Sequence, residues 1–205
     1  MRSVRFYFSF RSPYAWLAFR ALPAALQGLP VEVQRIPVFP PPEYPNDPTA
    51  VPAKIDYILE HDMPRLAEGY GLELGPVPAP FDTAWIRPHA IWLYADDQGA
   101  GDAFGREAFA ARFSRSEDLG DAKVQSEVAR ACGLDPEAAV AAAADPALHR
   151  RIQLGFVQAL EDGVFGVPFC VYEGQRFWGH DRIPWLVRAI RRDADLEVGP
   201  IELGA

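Results

Sequence analysis

The 205-residue chain predicts an α/β fold. Three observations carry that prediction: a strand–helix–strand pattern at the N-terminus, a strand–strand–helix pattern after Gly163, and helical periodicity almost everywhere between. Hydrophobic residues make up 49% and charged residues 23%, the balance of a chain that buries a real core. The length suits one domain, or one domain with an insertion.

The elements follow in order. Val4-Arg5-Phe6-Tyr7-Phe8-Ser9-Phe10 is rich in aromatic and branched residues and reads as a strand. Ser12-Pro13 places a capping hydroxyl and a proline at the start of the apolar stretch from Tyr14 to Leu26, which Gly28 closes. Val31 to Ile36 alternates at period two and predicts a second strand, completing a right-handed parallel βαβ unit. Residues 37–50 form a Pro-rich loop that cannot continue the sheet. Residues 51–162 predict helices. Ile55, Leu59, Leu66 and Tyr70 share one face, with Pro64 kinking or restarting the helix. Residues 84–97 and 102–115 predict two more, the second with Phe109 and Phe113 one turn apart. Asp135-Pro136 and Asp145-Pro146 are further helix starts. The later helix carries an expected apolar stripe of Leu148, Ile152, Phe156 and Leu160. Pro168 to Tyr172 predicts a strand, Glu173-Gly174 a tight turn, and Gln175 to Trp178 its hairpin partner. Asp181 is then expected to cap a last helix that buries Ile183, Leu186, Val187 and Ile190. The outer βαβ and ββα pieces are the two halves of a thioredoxin-like fold. On this reading residues 1–50 and 163–205 form the thioredoxin-like domain and residues 51–162 a helical insertion.

Composition narrows the function classes. With 20 Lys and Arg against 28 Asp and Glu, the net charge is −8, which disfavours non-specific hold on nucleic acid or an anionic membrane. No apolar run reaches the ~18 residues a membrane span needs. Met1 to Phe6 shows no basic-then-apolar leader pattern, so a cytoplasmic location is expected. Cys132 and Cys170 fit no CxxC or metal spacing, and both read as small apolar residues in a chain without a structural disulfide. The four histidines are scattered, so no metal site is expected.

Three stretches can carry chemistry. Ser12 stands at a strand-to-helix junction, beside free backbone N–H groups and the positive end of the helix dipole, an environment that stabilises a thiolate or another anion. A Ser-Pro start is equally a plain helix cap, a device this chain repeats at Asp135 and Asp145. Gly166-Val167-Pro168 opens the third strand. Pro is allowed there on structural grounds alone. In a thioredoxin-like fold a proline at this place is typically cis, and the residue before it offers its backbone to an extended peptide. In Trp178-Gly179-His180-Asp181-Arg182, Asp181 is either a cap or the partner of a ligand ammonium. His180 is either a donor or an exposed turn residue, and Arg182 is expected in a salt bridge. Lys54 and Asn46 could meet a ligand carboxylate and amide, or be solvated loop residues. Trp16, Trp85, Trp92 and Trp185 read as core, with some able to line an aromatic pocket.

FYFSFRSPYAWLA, GVFGVPFCVYEGQRFWGHDR and the intervening K-x-x-Y and R-L-A-x-x-Y-G-L together resemble the 2-hydroxychromene-2-carboxylate isomerase family. That family is related to kappa-class glutathione transferases and belongs to the DsbA-like branch of the thioredoxin fold. The resemblance spans roughly residues 4–190. Where oxidoreductase relatives carry CxxC, this chain reads Ser12-Pro13-Tyr14-Ala15, so dithiol–disulfide exchange has no sulfurs to work with here. The resemblance implies glutathione as cofactor. Ser12 would hold and help ionise its sulfur, and Val167 before Pro168 would pair with the cysteinyl backbone. His180 and Asp181 would hold the γ-glutamyl end, Asn46 would lie near glutathione or substrate, and Lys54 matches a lysine nearby; Lys54, Trp16 and Trp85 are the residues expected to face the substrate. Three departures stand out: His180 replaces the family's Ser or Gln, the loop around Asn46 is unusually Pro-rich, and the segment Tyr57 to Asp62 is one residue longer.

The activity so implied is glutathione-dependent isomerisation of 2-hydroxychromene-2-carboxylate or hydroxybenzylidene-pyruvate in aromatic-compound catabolism. Its partner is a small aromatic 2-oxo acid, and the relatives imply a homodimer. Two rivals are a kappa-like glutathione transferase that conjugates electrophiles, and a non-catalytic thioredoxin-fold module that binds peptides along the Pro168 edge.

Overall fold

The computed structural model describes residues 2–40, 52–76 and 84–201. Its chain divides into two compact units, Met1–Val38 with Gly155–Ala205, and Phe39–Leu154.

The first unit is built on a four-stranded sheet of order β2-β1-β3-β4. Strand β1 (Arg2–Phe8) leads through helix α1 (Pro13–Ala25) to β2 (Val31–Pro37), which lies parallel to it. Strands β3 (Phe169–Tyr172) and β4 (Gln175–Trp178) form a hairpin, and β3 pairs antiparallel with β1. Glu173 and Gly174, at φ 46° and 76°, make the left-handed two-residue turn whose twist matches the strands. The period-two alternation of β1 sets its two faces. Phe6 and Phe8 stack at 5.8 Å and meet Phe19 of α1, while Tyr7 points the other way into a cluster with Ile36, Val38, Ala159, Phe169 and Val171. Helix α9 (Ile183–Asp193) packs beside α1, with Ile183, Leu186 and Ile190 buried. The thioredoxin-like architecture read from the sequence is the one the chain adopts.

The sheet-bearing unit begins at Gly155 rather than after residue 162, and ends its first piece at Val38. The last turns of helix α8 (Pro146–Glu161) explain the difference. Ala159 sits in the Tyr7 cluster, and a side chain at Gly155 would meet Ile36 Cγ2 at 2.9 Å. The expected stripe on α8 also fails at Leu160, which is 45% exposed. Steps of four residues drift about 40° each around a helix. By Leu160 that drift has left the inner face, and Ala159 stands there instead.

The second unit is helical: α2 (Pro52–Asp56), a π turn (Tyr57–Asp62), α3 (Met63–Tyr70), α4 (Ile86–Asp97), α5 (Gly101–Phe113), α6 (Ala122–Ala131), α7 (Pro136–Ala142) and the first turns of α8. The π turn falls on the segment that the resemblance makes one residue longer than expected. Pro64 has no N–H, and in a regular α-helix its ring would press on the Glu60 carbonyl. The wider turn, closed by the Met63 N–H donating to the Ile58 carbonyl, absorbs both problems. The same widening rotates the face downstream, so Tyr70, expected inside, is exposed. In this unit the Arg112 guanidinium is buried over the Trp85 ring at 4.4 Å, and Trp92 Nε1 donates to the Gly101 carbonyl at 2.9 Å. Trp185 on α9 of the other unit, also read as core, is half exposed.

Candidate active site around the start of helix α1

The site is assembled at the first turn of α1. The Ser12 N–H donates to the Ser9 carbonyl at 3.0 Å, so the chain leaves β1 through a tight turn and delivers Ser12 in extended conformation, φ −91° and ψ 118°. Pro13 follows with its φ already helical. The Ser12 Oγ accepts from the Ala15 N–H at 3.2 Å, so it is a true N-cap. The same oxygen donates to the Val167 carbonyl at 3.1 Å, across 155 residues of sequence. One hydroxyl therefore closes the helix end and ties it to the segment before β3.

That segment has a defined shape. The Val167–Pro168 bond is cis, and Pro168 is buried. Among the described residues the Val167 N–H has no hydrogen-bond partner, while the carbonyl of the same residue accepts from Ser12. The Pro168 carbonyl accepts from the Gly179 N–H at 3.0 Å, which brings the end of β4 to the same place. Gly179 has φ 102°, and a Cβ there would lie 2.5 Å from Asp181 Oδ1, so glycine is required. Immediately after it, the His180 ring lies parallel to Tyr14 at 5.9 Å and 4°. Ser12, Val167, Pro168 and His180 are thus gathered around the N-terminus of α1, and Tyr14, which the sequence did not single out, holds His180 there.

Asp181 does not cap α9. It lies in a 3-10 turn (His180–Arg182), and the cap position falls on Arg182 with no side-chain bond. The reason is Pro184, which fits the first helical turn and moves the start one residue downstream. The Asp181 carboxylate accepts from Arg182 at 2.5 Å, the expected salt bridge. Trp16 is 1% exposed in the core of the first unit. Lys54, exposed, and Trp85, 3% exposed, belong to the helical unit. Neither tryptophan turns a ring to solvent. Asn46 lies outside the described residues.

The start of α1 combines a hydroxyl donor with the positive end of a 13-residue helix, an arrangement that stabilises a bound anion. Neither cysteine belongs to this arrangement. Cys170 is buried on β3, where burial pushes its thiol up to about 12. Cys132 caps α6 in the helical unit, and burial, with a lesser push from Glu107, raises it to about 11. A further polar cluster, Arg5, Tyr7 and Asp162, went unread in the sequence. Its one signal was Arg5 standing among the aromatic and branched residues from Val4 to Phe8.

Comparison with known proteins bears on this arrangement. The profile of the DSBA-like thioredoxin domain family matches residues 3–191. The chain is 28% identical, over 192 residues, to a 2-hydroxychromene-2-carboxylate isomerase from Sphingobium xenophagum, covering 90% of this chain and 96% of that protein. Among solved structures, a 2-hydroxychromene-2-carboxylate isomerase superposes with a TM-score of 0.79 at 24% identity, over 95% of this chain and 99% of the other. A probable DsbA oxidoreductase from Streptomyces coelicolor superposes with a TM-score of 0.76 at 20% identity, over 100% and 94%. No helix among the described residues is long and apolar enough to cross a membrane.

Proposed function

Since the chain belongs to the DsbA-like thioredoxin domain family but has a serine-capped helix where a dithiol would stand, we propose that it is a glutathione-dependent isomerase of the 2-hydroxychromene-2-carboxylate type. The observation that carries this reading is the Ser12 hydroxyl, placed at the α1 N-terminus and hydrogen-bonded to Val167. The similarity to an isomerase over nine-tenths of the chain supports it.

The residues present fit glutathione. Its sulfur needs a donor and a positive field, which Ser12 and the start of α1 supply. Its cysteinyl backbone needs an N–H and a carbonyl on one residue, which Val167 supplies. His180 and Asp181 would hold the γ-glutamyl end, with the Asp181 carboxylate shared between the ligand ammonium and Arg182.

When bound, glutathione would supply a thiolate nucleophile for reversible addition to the conjugated enone of a hydroxybenzylidene-pyruvate, the chemistry that makes its double bond rotatable. The chain's own part is electrostatic and geometric. Ser12 turns its hydroxyl proton from the Val167 carbonyl to the sulfur, which favours the ionised form. The Val167 carbonyl, released by that rotation, accepts from the ligand instead, so no polar group is left unsatisfied. Tyr14 keeps His180 beside the first turn of α1.

The test is glutathione binding by calorimetry together with thiolate absorbance against pH, for the wild type and Ser12→Ala. Binding with a depressed thiol pKa that rises in Ser12→Ala is expected, followed by turnover of hydroxybenzylidene-pyruvate with no consumption of glutathione. Accumulation of a glutathione adduct would replace the isomerase reading with a conjugating transferase. Absence of glutathione binding would overturn both.

A further inference from the structure

The segment that carries Val167 leaves the end of α8, and a polar cluster is fixed at that point. The Asp162 carboxylate accepts from Arg5 Nε at 2.6 Å and Arg5 Nη2 at 2.7 Å, a bidentate pair. It also accepts a short hydrogen bond from the Tyr7 hydroxyl. The Asp162 side chain is largely buried. Arg176 of β4 adds a third group. Its guanidinium charge acts on Asp162, and it lies so close to Gly163 that a side chain there would meet it at 2.8 Å. One carboxylate thereby joins β1, β4 and the end of α8.

Tyr7 belongs to this cluster by its hydroxyl and to the apolar cluster by its ring. Val164 and Val167 pack against that apolar cluster. The Asp162–Pro168 segment is therefore pinned at its start by the carboxylate and near its end by packing on the apolar cluster to which the same tyrosine's ring belongs. Burial and the neighbouring Asp162 carboxylate push the Tyr7 hydroxyl up, so it remains a protonated donor through the neutral range.

We propose that Tyr7, held by Asp162 and Arg5, is a positioning residue: it sets where the Val167 backbone stands opposite Ser12, and so fixes the edge that receives the peptide backbone of glutathione. The glutathione part of this inference rests on the function proposed above. Tyr7 touches no reacting atom. Its influence falls on affinity through Val167, whereas Ser12 governs ionisation of the sulfur.

The test compares Tyr7→Phe with Tyr172→Phe. Tyr172 is a buried tyrosine of the same sheet whose hydroxyl accepts from Arg2 at 3.4 Å, and its register partner on β1 is Val4, three residues from Tyr7. Tyr7→Phe is expected to shift the backbone amide resonances of Gly166 and Val167. It should also weaken glutathione binding about tenfold, with the bound thiol pKa unchanged. Tyr172→Phe should do neither. Ser12→Ala, by contrast, should raise the bound thiol pKa that Tyr7→Phe leaves in place. Unmoved Val167 resonances, or equal loss of affinity in both tyrosine variants, would overturn the inference. If the wild type binds no glutathione, the function reading falls alone, and the amide shifts still decide whether Tyr7 positions Val167. If Tyr7→Phe does not fold, Asp162→Asn is read by the same resonances and the same split.

Discussion

Replacing Ser12 tests two hydrogen bonds at once, and the structure lets their contributions be separated. Ser12→Ala removes the cap on the Ala15 N–H and the bond to the Val167 carbonyl. Loss of a serine N-cap costs about 1 kcal/mol. Loss of a neutral hydrogen bond costs about another 1 kcal/mol. The bond is only part-buried, so no full desolvation cost is added. The expected destabilisation is about 2 kcal/mol, or a fall in Tm of roughly 4–8 °C for a chain of this size. Ser12→Gly separates the two bonds, because glycine at an N-cap costs only a few tenths of a kcal/mol. It should lose about 1 kcal/mol, essentially the Val167 bond alone. Urea unfolding followed by circular dichroism measures both variants. If Ser12→Gly is as damaging as Ser12→Ala, the cap carries no share. If both match the wild type, the hydroxyl makes neither bond in solution, and the geometry on which the functional reading rests is wrong.

Two further outcomes follow from the titrating groups. Burial opposes ionisation of Asp162, but hydrogen bonds from Arg5 and Tyr7, with the Arg5 and Arg176 charges, outweigh it and hold the carboxyl below its usual range. Its folded pKa is therefore below its unfolded one, so its contribution is complete above the ordinary carboxylate range and is lost as pH falls through the lowered value. Asp162→Asn should cost about 2 kcal/mol near neutrality, and the gap to the wild type should close on acidification in urea titrations at stepped pH; a gap independent of pH would refute the assignment. Cys132 and Cys170, raised to about 11 and about 12, should both be thiols at pH 8. A thiol-reactive chromogenic reagent should label the native chain slowly, Cys132 first, with roughly one thiolate in a thousand at that position; rapid labelling of either would contradict the burial described.

Much of the first unit was legible because its devices are local. Ser12-Pro13 names a helix start, Glu173-Gly174 names a hairpin, and the aromatic and branched run from Val4 to Phe10 names a strand. Errors arose where a local rule met a competing constraint. Asp181 looked like a cap, but Pro184 moved the helix start. Leu160 and Tyr70 continued a four-residue spacing that helical drift and a π turn carried out of the core.

The sequence by itself determined the βαβ and ββα pieces, the capping hydroxyl at Ser12 and the loss of both redox sulfurs, since each depends on residues within a few positions of one another. Only the tertiary structure decided what Ser12 faces. The Val167 carbonyl lies 155 residues away, Tyr14 meets His180 from another element, and Tyr7 reaches Asp162 just past the end of α8. Such pairings depend on strand register and on where a helix ends. Those are settled by burying side chains from the whole unit together, and no local periodicity encodes them.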